Sequence, residues 1–122
     1  MIEKIEHRGL LFAIIVRKDF HKEGISFVTD GAALLEMGYM SHPAGYLVIP
    51  HTHPPFQRQT RGTQEVIFLK SGRMRVDFYS DVKVRLDSSE LVCGDLIVLL
   101  AVWHVIELLE PSVLIEVKNG PY

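Results

Sequence analysis

Short apolar runs separated by turn-forming residues are the dominant pattern along this chain. Residues 10–16 (LLFAIIV) have the length and composition of a buried strand. Residues 73–80 place arginine or aspartate at alternate positions between apolar side chains, which is typical of a strand with one solvated face. The same reasoning predicts further strands at 25–29, 46–53, 63–70, 81–87, 96–100, 105–109 and 113–117.

This strand content predicts the fold class. About eight to ten short antiparallel strands without a strand–helix alternation indicate an all-β sandwich or small barrel. Residues 32–37 are ambiguous: they form either one or two helical turns capped by Asp30, or the start of a strand that runs to Met40. The Ser71-Gly72 pair predicts a tight hairpin between 63–70 and 73–80.

Composition and charge narrow the class of protein. The 122 residues are 48% hydrophobic and 23% charged, which predicts one globular domain over residues 1–122. The net charge of −2 gives no electrostatic reason to expect nucleic acid or an anionic membrane as a partner. The single cysteine, Cys93, excludes an internal disulfide, and we interpret it as a buried structural thiol. Together with an N-terminus that lacks a signal-peptide pattern, it predicts a cytoplasmic protein.

Two histidines end one of the apolar runs, GYLVIPHTHPP at residues 45–55. Positions two apart along a strand point the same way. His51 and His53 would therefore share a face with Leu47 and Ile49. That face begins as hydrophobic core and ends as a pair of imidazoles.

Two more polar residues have inward parity, which means that they share alternate strand positions with core-facing side chains. Glu65 alternates in step with Ile67, and a carboxylate facing a core is costly unless it is paired or bound to a cation. His104 alternates in step with Ile106. Each residue alone is more often a core or surface residue than a ligand, but their joint inward parity favours a site. Three imidazoles and one carboxylate suit a divalent transition metal (Fe, Mn, Ni, Zn or Cu), and Glu65 can alternatively act as a general base.

The spacing of these residues resembles the first motif of the cupins. Gly45 is followed by five residues and then by His51-Thr-His53, and Glu65 is followed by six residues and then by Gly72. The difference lies between His53 and Glu65, where eleven residues replace the much shorter gap of most cupins.

The resemblance extends over nearly the whole chain. Gly94 and His104 are similar to the second cupin motif, although Leu100 and Val102 stand where proline and glycine are usual. TQEVIFLKSGRMRVDFYSD, GDLIVLLAVWH and IEVKNGPY resemble segments of short, uncharacterised bacterial cupins, some linked to surface-polysaccharide synthesis. The resemblance implies a single jelly-roll barrel (a double-stranded β-helix) and a bound metal at His51, His53, Glu65 and His104.

Three functions remain open at this point. The first is a metal-dependent enzyme, an isomerase, epimerase or dioxygenase, acting on a small polar, sugar-like molecule. The second is a non-catalytic module that binds a carbohydrate or a metal. The third is a metal-free keto-sugar nucleotide isomerase. Similar enzymes tend to carry glutamine where this chain has Glu65, which counts against this function.

Residues outside the donor set suggest contacts with ligands and partners. Arg58 and Arg61 lie in the inserted loop, where they either contact an anionic substrate or are simply solvated. Trp103 is a candidate for stacking on a sugar or for a subunit interface. We expect a homodimer, with the strand at 10–16 as the candidate for pairing across strand edges.

Overall fold

The computed structural model describes residues 1–100 and 102–121, which form ten short strands and, within these ranges, no helix. Every strand pairing is antiparallel. The all-β prediction is confirmed. The strands are β1 Ile2–His7, β2 Leu10–Val16, β3 Gly24–Phe27, β4 Gly38–Ser41, β5 Glu65–Ser71, β6 Arg73–Tyr79, β7 Arg85–Val92, β8 Leu96–Leu99, β9 Trp103–Leu108 and β10 Val113–Lys118.

The strands form three sheets in a jelly-roll-like arrangement that does not close into a barrel. Five strands lie in the order β1-β2-β8-β5-β10, three in the order β7-β6-β9, and β3 pairs with β4. The two larger sheets share one core. Its fully buried side chains include Leu69 and Ile97 from the five-stranded sheet and Met74, Phe78 and Leu91 from the three-stranded sheet. Apolar faces from both sheets are thus removed from water together.

The predicted hairpin between residues 63–70 and 73–80 is wrong, although both strands exist. β5 pairs with β8 and β10, whereas β6 pairs with β7 and β9. The chain passes from one sheet to the other at Gly72, whose φ is +93°. Leu69 and Met74 consequently enter the shared core from opposite sheets, which a two-stranded hairpin would not allow.

The predicted strand at residues 46–53 is also wrong. No strand occurs between β4 and β5, and Leu47 and Ile49 are 78% and 72% exposed. A strand needs a neighbour to satisfy its backbone N–H and C=O groups, and alternation in the sequence supplies no such neighbour. β4, the preceding strand, pairs instead with β3.

The ambiguous segment at 32–37 forms neither the helix nor the long strand. The Asp30 side chain accepts a hydrogen bond from the Ala32 N–H at 2.8 Å, and the Ala33 N–H donates to the Asp30 carbonyl at 3.1 Å. Asp30 thus caps a turn that is not continued into a helix. β4 begins only at Gly38, although it does include Met40.

Two further expectations need correction. β2 cannot supply a free edge for dimerisation, because it pairs with β1 on one side and β8 on the other. Cys93 is exposed rather than buried, and its Sγ lies 3.2 Å from the Lys70 carbonyl oxygen.

Within the described ranges no helix is long and apolar enough to cross a membrane. The cytoplasmic location stays a prediction.

Candidate functional site

Glu65 and His104 meet where the two larger sheets come together. Glu65 begins β5 in the five-stranded sheet, and His104 is the second residue of β9 in the three-stranded sheet. The Glu65 Oε2 atom lies 3.5 Å from the His104 Nε2 atom, and the two side chains are 22% and 27% exposed. Both side chains have the inward parity predicted from the sequence, and they lie next to each other between the two sheets.

A backbone contact orients the His104 ring. Its Nδ1 atom lies 3.2 Å from the Val102 carbonyl oxygen. A carbonyl oxygen can only accept, so the tautomer with its hydrogen on Nδ1 satisfies this contact and leaves the lone pair of a neutral ring on Nε2. That lone pair faces the Glu65 carboxylate, which also only accepts when ionised. A cation between them, either a proton on the ring or a metal ion, satisfies both groups.

The pair lies in a cleft of about 320 Å³. This volume is at the small end of the range for ligand pockets, which suits a molecule of about monosaccharide size. The lining combines polar and apolar side chains. The lining residues are Leu34, Arg61, Gly62, Thr63, Gln64, Glu65, Leu99, Leu100, Val102 and His104.

His51 and His53 form a second pair, on the exposed segment before β5. Their ring centroids are 5.3 Å apart, and the ring planes are nearly perpendicular at 77°. The His51 Nδ1 atom lies 2.8 Å from the Ile49 carbonyl oxygen, and the tautomer with its hydrogen on Nδ1 leaves the lone pair on Nε2. A hydrogen bond from the second ring nitrogen is the usual way in which a ligating histidine is oriented.

The four predicted donors therefore occupy two separate pairs. Among the residues that the structure describes, no group of three or more histidine, cysteine, aspartate or glutamate side chains is arranged to hold a metal ion. The donor chemistry fits a transition metal, because imidazole nitrogens and a carboxylate are its ordinary ligands. The arrangement in this conformation does not complete such a site. A common metal site stays a prediction.

The two loop arginines differ in position. Arg61 lines the cleft with Glu65 and His104, where its guanidinium can reach an anionic group. Arg58 is not among the lining residues, and its Cζ atom lies 4.0 Å from the centroid of the Phe56 ring. Such a cation–π contact is an ordinary role for an arginine outside a site.

Gln64 is a residue at the cleft to which sequence reasoning gave no role. Its N–H donates to Asn119 Oδ1 at 2.8 Å, and its Oε1 accepts from the Leu35 N–H at 3.2 Å. Asn119 in turn donates to the Gly62 carbonyl at 3.1 Å. These bonds tie the cleft wall to the end of β10 and to the segment before β4. The only sign in the sequence that Gln64 belongs to the cleft was its position next to Glu65.

A smaller apolar cleft adjoins the site through His104. It has a volume of about 190 Å³ and is lined by Tyr79, Lys83, Trp103, His104 and Val105. Trp103 is 58% exposed, and the Lys83 Nζ atom lies 5.4 Å from its ring centroid. Trp103 thus borders the site, on the strand that carries His104.

Comparison with known protein families, with curated proteins and with solved structures found no match for this chain. Membership of the cupin family therefore stays a prediction from the motif resemblance.

Proposed function

We propose that this protein is a cupin-like metalloprotein that acts on a small polar, sugar-derived molecule with an anionic group. The observation that carries the proposal is the Glu65–His104 pair, 3.5 Å apart in a cleft of about 320 Å³ that Arg61 also lines. In the tautomer of His104 with its hydrogen on Nδ1, the Nε2 lone pair and the Glu65 carboxylate are two acceptors facing each other, and a cation placed there would satisfy both.

The proposed metal ligands are His51, His53, Glu65 and His104. A bound divalent transition metal would supply Lewis acidity toward an oxygen of the ligand molecule. Arg61 would hold an anionic group of the substrate at the cleft wall. Glu65 would accept or return a proton when it is not engaged by the cation, and the Val102 carbonyl would keep the His104 ring in one tautomer.

A second candidate function follows from the same pair. Glu65 and His104 by themselves are an acid–base pair within reach of one proton, the minimum needed for proton transfer between neighbouring carbons of a keto-sugar. A metal-free keto-sugar nucleotide isomerase would use them in this way.

Elemental analysis of protein purified without chelator tests the proposal. We expect about one transition metal ion per chain, with the loss of most of it in the His51→Ala/His53→Ala double variant. The matched control is His21→Ala/His42→Ala, which removes two exposed histidines outside the donor set and should keep the metal.

The outcomes separate the candidate functions. Bound metal with turnover of a sugar nucleotide supports the metalloenzyme, whereas bound metal without turnover across a sugar-nucleotide panel supports a non-catalytic binding module. Metal-free protein that folds normally and isomerises a keto-sugar nucleotide would overturn the metal proposal in favour of the acid–base pair.

A further inference from the structure

The outer face of the three-stranded sheet carries two aromatic side chains next to each other. β6 turns Met74, Val76 and Phe78 into the core, so Tyr79, at the following position, faces outward. Tyr79 pairs with Trp103 of β9 across the ladder, and residues paired in this way have Cβ atoms about 5 Å apart. Because Trp103 is more than half exposed, the two rings present a large apolar surface to solvent.

This surface is concave. The cleft of about 190 Å³ lined by Tyr79, Lys83, Trp103, His104 and Val105 is called the aromatic cleft below. A cavity of about 150 Å³ is enough to hold one benzene ring. The aromatic cleft therefore has room for a single six-membered ring with one small substituent.

The turn between β6 and β7 holds a positive charge at this cleft. The Ser80 N–H donates to the Val84 carbonyl at 2.8 Å, and the Lys83 N–H donates to the Ser80 carbonyl at 2.9 Å. The Val84 N–H also donates to Ser80 Oγ at 3.2 Å. The Lys83 Nζ atom lies 5.4 Å from the centroid of the Trp103 ring, and within the described ranges no carboxylate forms an ion pair with it. Its charge is thus complementary to an anionic ligand.

The chemistry of the lining favours an aromatic ring over a sugar. Among the lining residues, polar side chains belong to Tyr79, Lys83 and His104. A sugar ring carries a hydroxyl on most of its carbons, and each hydroxyl that leaves water needs a hydrogen-bond partner. A flat apolar ring has no such requirement. An anionic substituent on that ring can remain near solvent beside the Lys83 ammonium.

We propose that the aromatic cleft is a second ligand site, which binds an aromatic monocarboxylate. The ring of the ligand packs against Tyr79 and Trp103, and its carboxylate pairs with Lys83. The site lies on the outer face of the sheet, apart from the Glu65–His104 pair, and it requires no metal. It goes beyond the proposed function and does not depend on it.

A second copy of the chain is the other occupant to consider. Val82 and Val84, on the same turn as Lys83, are 75% and 57% exposed, so apolar surface continues beyond the cleft. A twofold contact centred on this turn would bring two copies of Lys83 close together, and like charges oppose such a contact. The concave shape and the lysine therefore favour the small anion.

Trp103 is the only tryptophan of the chain, so its indole N–H gives a single, unambiguous signal in ¹⁵N-resolved NMR spectra. Benzoate added to the protein in the presence of a chelator should shift this signal saturably, with a Kd of about 1 mM. Benzamide, which has the same shape without the charge, should bind about fivefold more weakly. Acetate, which has the charge without the ring, should not shift the signal.

Two pairs of variants sharpen the test. Lys83→Gln should weaken benzoate binding about fivefold and leave benzamide binding unchanged, whereas Lys22→Gln, at an exposed lysine outside the cleft, should bind benzoate as the wild type does. Val105→Asp puts a negative charge into the cleft and should abolish benzoate binding. Val92→Asp, on the opposite edge of the same sheet, should retain it.

Three results would overturn the proposal. The first is the absence of a saturable indole shift with benzoate, and the second is an equal Kd for benzoate in Lys83→Gln and the wild type. The third is an indole shift that grows with protein concentration without benzoate, because a second copy of the chain would then cover the rings. Elemental analysis tests the proposed metal site separately, so either proposal can fail while the other stands.

Discussion

Asp95 is a buried carboxylate that three hydrogen bonds hold in place. Its side chain is 1% exposed and accepts hydrogen bonds from the Lys18 N–H at 2.8 Å, the Arg17 guanidinium at 2.9 Å and the Val92 N–H at 3.0 Å. Burial by itself would raise the pKa of Asp95, but the two backbone N–H groups and the Arg17 charge outweigh it and lower the pKa below its ordinary value of 3.8.

This arrangement predicts that the protein loses stability in acid when the Asp95 carboxylate becomes protonated. The pKa of Asp95 in the folded protein is lowered. Its contribution to the free energy of unfolding is therefore fully present above pH 3.8 and is lost as the pH falls through the pKa of the folded state. Asp95→Asn should reduce the free energy of unfolding by about 1–3 kcal/mol at neutral pH, and the difference from the wild type should shrink below pH 3.8. Urea denaturation at several pH values measures both effects.

The exposed Asp81 provides the control for this measurement. Asp81→Asn should leave the free energy of unfolding within about 0.5 kcal/mol of the wild type. An Asp95→Asn protein as stable as Asp81→Asn at neutral pH would show that the Asp95 carboxylate does not stabilise the fold.

At the scale of elements, the link between β5 and β6 decides how the sheets are built. A Cβ atom at Gly72 would overlap Ser112 Oγ and would lie 2.6 Å from the Pro111 carbonyl oxygen. The Ser112 hydroxyl also accepts a hydrogen bond from the Arg73 N–H at 3.2 Å. The connection between the sheets therefore packs directly against the turn before β10, with space only for glycine.

Gly72→Ala should consequently destabilise the protein. The positive φ of +93° and the overlap with Pro111 and Ser112 both act against alanine. We expect a loss of about 2–4 kcal/mol in the free energy of unfolding, measured by urea denaturation. Gly31→Ala is the control, because a Cβ atom there meets nothing within 4 Å. Equal stability of the two variants would contradict the close packing at Gly72.

At the scale of the whole molecule, homodimerisation stays a prediction, and the structure redirects it to another strand. β1 and β10 are the edges of the five-stranded sheet. β1 carries Glu3, Lys4 and Glu6, and charges of this kind usually keep a sheet edge from pairing. β10 exposes Val113, Ile115 and Val117 instead.

We therefore expect a dimer joined through β10. An antiparallel pairing about a twofold axis at Ile115 would place Val113 opposite Val117 of a second copy. Light scattering should give twice the chain mass of 13.9 kDa, and Ile115→Lys should give a single chain. Val92→Lys, on the edge of the other sheet, should remain a dimer. A wild-type mass equal to one chain would contradict the expectation.

The all-β class and most strand positions could be read from the sequence, because the two-residue period of a strand is a local property. The inward parity of Glu65 and His104 follows from the same period, and their side chains do meet. Pairing is different, since it depends on which distant segment lies alongside a strand. Tertiary structure alone decided that β5 and β6 belong to different sheets and that residues 46–53 lack a neighbouring strand in this conformation. For the same reason, only the tertiary structure shows that His51 and His53 lie apart from Glu65 and His104.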